Sequence, residues 1–459
     1  MPRWMTLVLV SLLLTLFAAC GDDTTKKGGN NGTDDVECPA GQRHNPILDR
    51  CEDIPDFGDG SSNNGETNNE AGNNGATNNG SNSSNNQSTN NQSTNNGATN
   101  NDTTNTNNQT TPPLECGIGS IKGKTCAPSG EPLAAADVTI SGVDCDGNPF
   151  ELTARTGTDG TFELTDVPSG NHELKVTTGS FESTRMVIVQ KDQVTDLTTA
   201  AEKVCLDQNV EIAVISGAYD HVEGVLQALN LDFTTVGGDN GAQYEATKAF
   251  LSDAAAMGMY DLIFINCGEL EGQLALESFG NPQLRTTINN NLRTYVQGGG
   301  SLYVSDWSHS LLEGAFPDMI DFHGSDSPSD SRKGYAPQTI AADVLTPDLV
   351  TLLGTNTATI EFPHNPPSVV NNNWVIVDVV GAGSVAQLTG DAKLCGPPEG
   401  GLFGDPCPAS SDVQADSPLL VTHKDPSGGN VVFTTFHNER QSALNQDMEK
   451  ILRFLIFQL

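Results

Sequence analysis

Apolar and polar positions follow four different rhythms along these 459 residues. Residues 4–17 are predominantly apolar and follow Arg3. Residues 58–113 hold almost no apolar side chains; besides the two closing prolines there are only Ala71, Ala76 and Ala98. Residues 116–204 alternate with period two, in Val138-Thr-Ile140, Phe150-Glu-Leu152, Phe162-Glu-Leu164, Leu174-Lys-Val176 and Met186-Val-Ile-Val189. Turn signals separate these runs at Asp146-Gly147, Asp159-Gly160 and Pro168-Ser-Gly170. Successive strand side chains point to opposite faces, so each run presents one apolar face. The pattern predicts a small all-β sandwich over residues 114–205.

From residue 206 to 459 the rhythm changes to continuous apolar runs between helical spacings. Val210-Glu-Ile-Ala-Val-Ile215, Asp232-Phe-Thr-Thr-Val236, Tyr260-Asp-Leu-Ile-Phe-Ile-Asn266 and Ser301-Leu-Tyr-Val304 read as strands. So do Trp374-Val-Ile-Val-Asp-Val-Val380, Leu419-Leu-Val421 and Val431-Val-Phe-Thr-Thr-Phe436. Residues 221–229, 244–257, 288–296 and 446–459 read as helices. Strands that alternate with helices predict an α/β domain, with a mostly parallel sheet covered on both faces. Ligands of such folds sit at the carboxyl ends of the strands.

The first two rhythms concern location. The positive residue, the apolar run and Leu16-Phe17-Ala18-Ala19-Cys20 form a secretory leader over residues 1–19. It resembles the bacterial lipoprotein type, with Phe17 where leucine is usual. That resemblance implies a diacylglycerol on Cys20 and a cell-envelope protein anchored by lipid to the outer membrane or the cell surface. Residues 20–57 form a polar tether. In 58–113 Asn-Asn pairs recur every five residues, at 63, 68, 73 and 78 and again at 85, 90, 95 and 100. Nothing there offsets chain entropy, so a disordered spacer is expected, with a reach of about 40 Å. Charge adds one exclusion. The chain carries 22 Lys+Arg against 58 Asp+Glu, a net of -36. Such a surface repels nucleic acid, so the partners expected are the membrane through the lipid and an envelope polysaccharide or protein.

Ten cysteines in an exported chain favour disulfides. Cys38 and Cys51 bracket one short loop, and Cys395 and Cys407 another. Cys116, Cys126, Cys145 and Cys205 belong to the sandwich, and four cysteines allow three connectivities. The pairing expected is Cys116–Cys205 with Cys126–Cys145. Cys267 is left over in an apolar run and reads as a buried free thiol. No Cys-x-x-Cys pair and no calcium loop occurs, so neither metal nor cofactor is expected.

Two resemblances carry the functional reading. Gly130-Glu-Pro-Leu-Ala-Ala-Ala-Asp-Val138, Thr156-Gly-Thr-Asp-Gly-Thr-Phe-Glu-Leu164 and Val167-Pro-Ser-Gly170 resemble the carboxypeptidase regulatory-like, transthyretin-like module. This implies a non-catalytic spacer or interaction domain. Binding of carbohydrate or cell wall through it needs exposed aromatics, and the segment has only Phe150, Phe162 and Phe181. Residues 206–459 resemble the class I glutamine amidotransferase-like superfamily, which implies a flavodoxin-like α/β domain. The match lies in Tyr295-Val-Gln-Gly-Gly-Gly-Ser-Leu-Tyr-Val-Ser-Asp306-Trp-Ser-His-Ser-Leu-Leu312 and in Phe436-His437-Asn438-Glu439. In the family a cysteine sits where Asp306 stands, a glycine where Ser308 stands and a proline where Asn438 stands.

A carboxylate cannot replace the thiolate that attacks in that family, so glutaminase chemistry is not expected. The head is read as a non-catalytic binding or structural unit. The alternative is a hydrolase in which Asp306 attacks carbon, His437 directs water and Glu439 orients His437. Trp307, Ser308, Ser216 and Gly217 are the pocket candidates, while Asp306 can also be read as a helix cap. His309 reads as a surface residue, and His221 and His323 have no partner by spacing.

Overall fold

The structure is a computed structural model that describes residues 42–45, 50–53, 115–325, 328–363, 373–397, 407–437 and 445–459. The leader, Cys20, Cys38, the side chain of Cys51, the spacer 58–113, Asn438 and Glu439 lie outside the described residues. The segments Gln42–Asn45 and Arg50–Asp53 pair as a short hairpin of their own.

The alternating segment forms two facing sheets. In one, strands Pro149–Arg155, Asp137–Val143, Gly170–Thr178 and Phe181–Val189 lie side by side, all antiparallel. In the other, Ile118–Cys126 runs antiparallel to Thr161–Pro168 and parallel to Val194–Leu197 and Val204–Cys205. Every alternating run seen in the sequence falls in a strand. Val138, Ile140, Leu174 and Val176 of one sheet are buried, as are Ile121, Phe162 and Leu164 of the other. Strand Ile118–Cys126 was not legible because glycine interrupts it. At Gly123 a β-carbon would meet the Phe162 ring at 2.4 Å, so glycine is what lets that ring lie across the strand.

The sandwich disulfides pair differently from the expectation. They are Cys116–Cys145 and Cys126–Cys205, not Cys116–Cys205 and Cys126–Cys145. The cause is strand register: Val204–Cys205 lies parallel to Ile118–Cys126 with Cys205 opposite Cys126. Ser169 meanwhile accepts from Gly117 N and donates to Glu115 O, which holds the incoming chain near Cys145. The Cys395–Cys407 bridge forms as expected and joins two antiparallel strands near their ends.

In the head, five strands are parallel: β1 (Ile212–Ile215), β2 (Thr234–Gly237), β3 (Leu262–Ile265), β4 (Ser301–Ser305) and β5 (Asn430–Thr434). Their order is β2-β1-β3-β4-β5. Both faces of β1, β3 and β4 are buried, which is why they read as unbroken apolar runs. Among the described residues the sheet has 11 strands and is mixed, which corrects the expectation of a mostly parallel sheet. Beyond β5 comes the antiparallel strand Ala409–Lys424, and then Ser384–Cys395, which is flanked in turn by Gln338–Val344 and Thr357–Phe362. These belong to a long β-rich insertion between β4 and β5.

Helices cover the faces. Helix Pro282–Gln297 begins on Pro282, whose missing N–H costs nothing in a first turn, and buries Leu284, Ile288, Leu292 and Val296. The single helix expected over 244–257 is two, Gly241–Leu251 and Ala254–Met257. Asp253 breaks it by accepting from the N–H groups of Ala255 and Ala256. Helix Gln446–Ile456 is capped by Asn445 and leads to the sandwich. There Phe457 meets Phe181 edge-on at 5.0 Å, and Thr178 and Ser180 donate to the carbonyls of Phe457 and Leu459. Among the described residues no helix is long and apolar enough to cross a membrane.

Candidate functional site

Parallel strands bring all their carboxyl ends to one edge of the sheet. Three side chains meet there: Cys267, two residues beyond β3; Asp306, directly after β4; and His437, three residues beyond β5. All three are buried, and their ligating atoms lie within 4.8 Å of one another. Asp306 turns the chain sharply from β4 into the 3-10 turn Asp306–Ser308 and helix His309–Ala315. It does so at φ 41°, in the left-handed region that an aspartate adopts at some cost.

That turn aims the carboxylate into the edge, so Asp306 is not a helix cap. Its Oδ1 accepts from Val375 N at 2.7 Å. Its Oδ2 faces Cys267 Sγ at 3.5 Å and His437 Nε2 at 3.6 Å. Burial pushes the Cys267 thiol up to about 12; His437 works against this and Asp306 adds to it. A hydrogen-bonded chain runs beneath, in which Cys267 N donates to Ser305 Oγ at 2.8 Å and Ser305 Oγ donates to Asp220 Oδ2 at 2.6 Å. Asp220 is fully buried, and that burial raises its pKa.

Above the cluster lies a narrow cleft that opens to solvent, with a cavity volume of about 30 Å3. Five of the residues around it are aromatic, Tyr219, Trp307, Phe362, Trp374 and Phe436, and all of these but Tyr219 are buried. Tyr219 meets Trp307 edge-on at 5.4 Å, and Phe362 stacks on Trp374 at 3.9 Å. Trp307 N–H donates to Asn373 O, and Arg332 lies over its ring at 4.2 Å.

The structure therefore brings together Asp306, Trp307 and His437 of the sequence candidates. Ser216, Gly217 and Ser308 do not line the cleft. Ser216 donates to Glu223, and Ser308 donates to the carbonyl of Asn266. Gly217 is a packing residue: a β-carbon there would fall 2.0 Å from the carbonyl oxygen of Cys267. His309 is not at the surface. It is fully buried, held by Asp306 O at 3.2 Å and Ser331 Oγ at 2.7 Å, and burial with Arg332 lowers its pKa to about 3. His221 and His323 find acidic partners in Glu223 and Asp378. Cys267 is the buried free thiol expected, but its place beside Asp306 and His437 was missed, as was Val375. The first carried a signal, since it directly follows a buried strand that neighbours β4; the second, from a segment 69 residues away, carried none.

Residues 120–202 match the family described as carboxypeptidase regulatory-like domain. The sandwich is such a domain. No curated protein matches the chain. Among solved structures, the TIE protein of Bacillus anthracis is 18% identical, with 22% of this chain and 19% of that one covered at a TM-score of 0.17. The chain thus spans about a fifth of the length of that protein. A putative carbohydrate binding protein from Pseudomonas aeruginosa is 15% identical, covering 19% of this chain and 91% of that one at a TM-score of 0.15. A type II cohesin-X-dockerin complex from Acetivibrio cellulolyticus is 19% identical over 24% of this chain and 70% of that one, at a TM-score of 0.16. Likenesses this slight assign neither a fold nor an activity. Within the regulatory-like domain Phe162 and Phe181 are buried, and Phe150 is half-buried against the ring of His172. None of its aromatics is placed to form an exposed sugar platform.

Proposed function

We propose that this chain is a lipid-anchored protein of the bacterial envelope whose α/β head binds a neutral saccharide at the mouth of the cleft above Asp306. The leader and Cys20 supply the anchor, residues 20–57 the tether and 58–113 the spacer. The regulatory-like domain is a rigid mount for the head. We read the head as a flavodoxin-like, amidotransferase-like domain in which Asp306 has taken the nucleophile's place. The β2-β1-β3-β4-β5 order, the left-handed residue after β4 and the histidine after β5 support that reading.

The observation that carries the binding role is the cleft itself, aromatic on its walls and acidic at its floor. Of these rings only Tyr219 is half-exposed, so a sugar rests at the rim on Tyr219, and a buried carboxylate excludes anions. The left-handed Asp306 and the nearby His437 also favour a second reading, a hydrolase that uses both. Against it, Asp306 Oδ1 accepts from Val375 N and Oδ2 faces Cys267 and His437, so both oxygens already have partners.

The test is tryptophan fluorescence of the full-length mature protein, titrated with a neutral N-acetylhexosamine oligosaccharide, beside an assay for ammonia release from glutamine. Saturable binding that Tyr219→Ala abolishes, with no ammonia above background, is expected. Ammonia turnover lost in Asp306→Ala, or no response to the sugar, would overturn the reading. Mass spectrometry of the mature N-terminus tests the anchor, and an unmodified Cys20 would remove it.

A further inference from the structure

The histidine–carboxylate separation at the floor of the cleft is long for a hydrogen-bonded triad. In a triad the histidine stands between the acid and the nucleophile, whereas here Asp306 Oδ2 faces both Cys267 and His437 and the three groups form a triangle. A charged N–H and O pair in a good hydrogen bond closes to about 2.8 Å. His437 Nε2 and Asp306 Oδ2 stand beyond that, at 3.6 Å, while Cys267 Sγ donates to Asp306 Oδ2 at 3.5 Å, an ordinary length for a thiol. Bonds of about 2.3 Å to sulfur and about 2.0–2.1 Å to nitrogen and oxygen give tetrahedral ligand-to-ligand edges of about 3.3–3.6 Å. The two edges that meet at Asp306, 3.5 Å to sulfur and 3.6 Å to nitrogen, are close to these.

We propose that Cys267, Asp306 and His437 are three ligands of a divalent transition metal of the zinc type, with the fourth position facing the cleft. The donor set of one sulfur, one oxygen and one nitrogen suits zinc better than magnesium or calcium, which prefer oxygen alone. Charge agrees as well. A thiolate and a carboxylate carry two negative charges into a buried site, and a divalent ion cancels both. When the metal binds, the Cys267 S–H bond breaks, a sulfur–metal bond forms and the proton passes to solvent. The surroundings are already arranged to orient the ligands. Val375 N holds Oδ1 of Asp306 and leaves Oδ2 for the metal, while Ser305 anchors the backbone of Cys267.

This occupies the same cleft as the saccharide reading but stands on the ligand geometry alone. The full-length mature protein, stripped with chelator, would be titrated with cobalt(II) and the cobalt then displaced by zinc. One cobalt per chain is expected, with the near-ultraviolet thiolate-to-cobalt absorption that carboxylates of the acidic surface cannot produce. Cys267→Ser should abolish that absorption. Asp306→Asn and His437→Gln should each weaken binding by at least about 10–100-fold, the range already seen on losing a residue that only supports a ligand. Asp306→Asn keeps an acceptor for Val375 N and tolerates the left-handed backbone, so it reports even if the cysteine variant does not fold. Absence of the thiolate absorption in the unmutated protein, or uptake unchanged in Asp306→Asn and His437→Gln, overturns the metal site. If the stripped protein still binds the oligosaccharide, only the metal inference fails.

Discussion

A fully buried histidine that is held neutral makes the head sensitive to acid. The neutral ring of His309 donates through Nδ1 to Asp306 O and accepts at Nε2 from Ser331. Its pKa falls from 6.5 to about 3 because of burial and Arg332. The sign follows from linkage. Above pH 6.5 both folded and unfolded states are neutral there, and the contribution to stability is intact. As pH falls from 6.5 toward about 3, the unfolded chain takes up a proton that the folded one refuses, and stability is lost. The size should be of the order of a few kcal/mol, on top of what the carboxylates contribute. Urea melts across this range should show a flatter acid limb for His309→Gln than for the unmutated protein. An unchanged slope would contradict the assignment. The same histidine supports the carbonyl of Asp306, so the left-handed turn is held from behind by a residue whose spacing gave no hint of burial.

At the scale of elements, two of the disulfides among the described residues fasten neighbouring strands, while Cys116–Cys145 joins a bend to a turn. Cys126–Cys205 spans 79 residues and fastens Val204–Cys205 beside Ile118–Cys126, while Cys395–Cys407 spans 12 and locks two strands that are already paired. If disulfides act mainly by restricting the unfolded chain, the longer loop contributes more, by about 1.5–2 kcal/mol. The double variant Cys126→Ala/Cys205→Ala should therefore lose about 4 kcal/mol, and Cys395→Ala/Cys407→Ala nearer 2–3. Denaturant midpoints for both, with thiols blocked, check this. An equal or reversed order would mean that strain or unfolded-state structure dominates.

Across the whole molecule, the regulatory-like domain and the head share one apolar core. It runs from Phe181 and Val187 of the sandwich through Phe457 to Leu452 and Leu455. Arg453 adds a half-buried pair with Glu131 at 2.6 Å, and Arg155 reaches Asp348 at 2.5 Å. A seam of this kind should make the two parts unfold together. Calorimetry of the mature protein should give one transition. Phe457→Ala removes the ring that meets Phe181 and should cost about 3–5 kcal/mol, separating the transition into two. A single unshifted transition in that variant would show the seam to be incidental.

The sequence by itself determined what is local. Period-two alternation located the five sandwich runs, unbroken apolar runs located β1 to β5, and Asp306 and His437 were placed at strand ends. These follow from side-chain direction and burial, which each stretch of chain carries within itself. The tertiary structure decided what depends on pairing across distance. The register of Val204–Cys205 against Ile118–Cys126 chose the disulfides, and the insertion between β4 and β5 made the sheet mixed. The adjacency of β3, β4 and β5 turned a leftover cysteine into the neighbour of Asp306 and His437. No window of sequence contains that triangle, because strand order sets it.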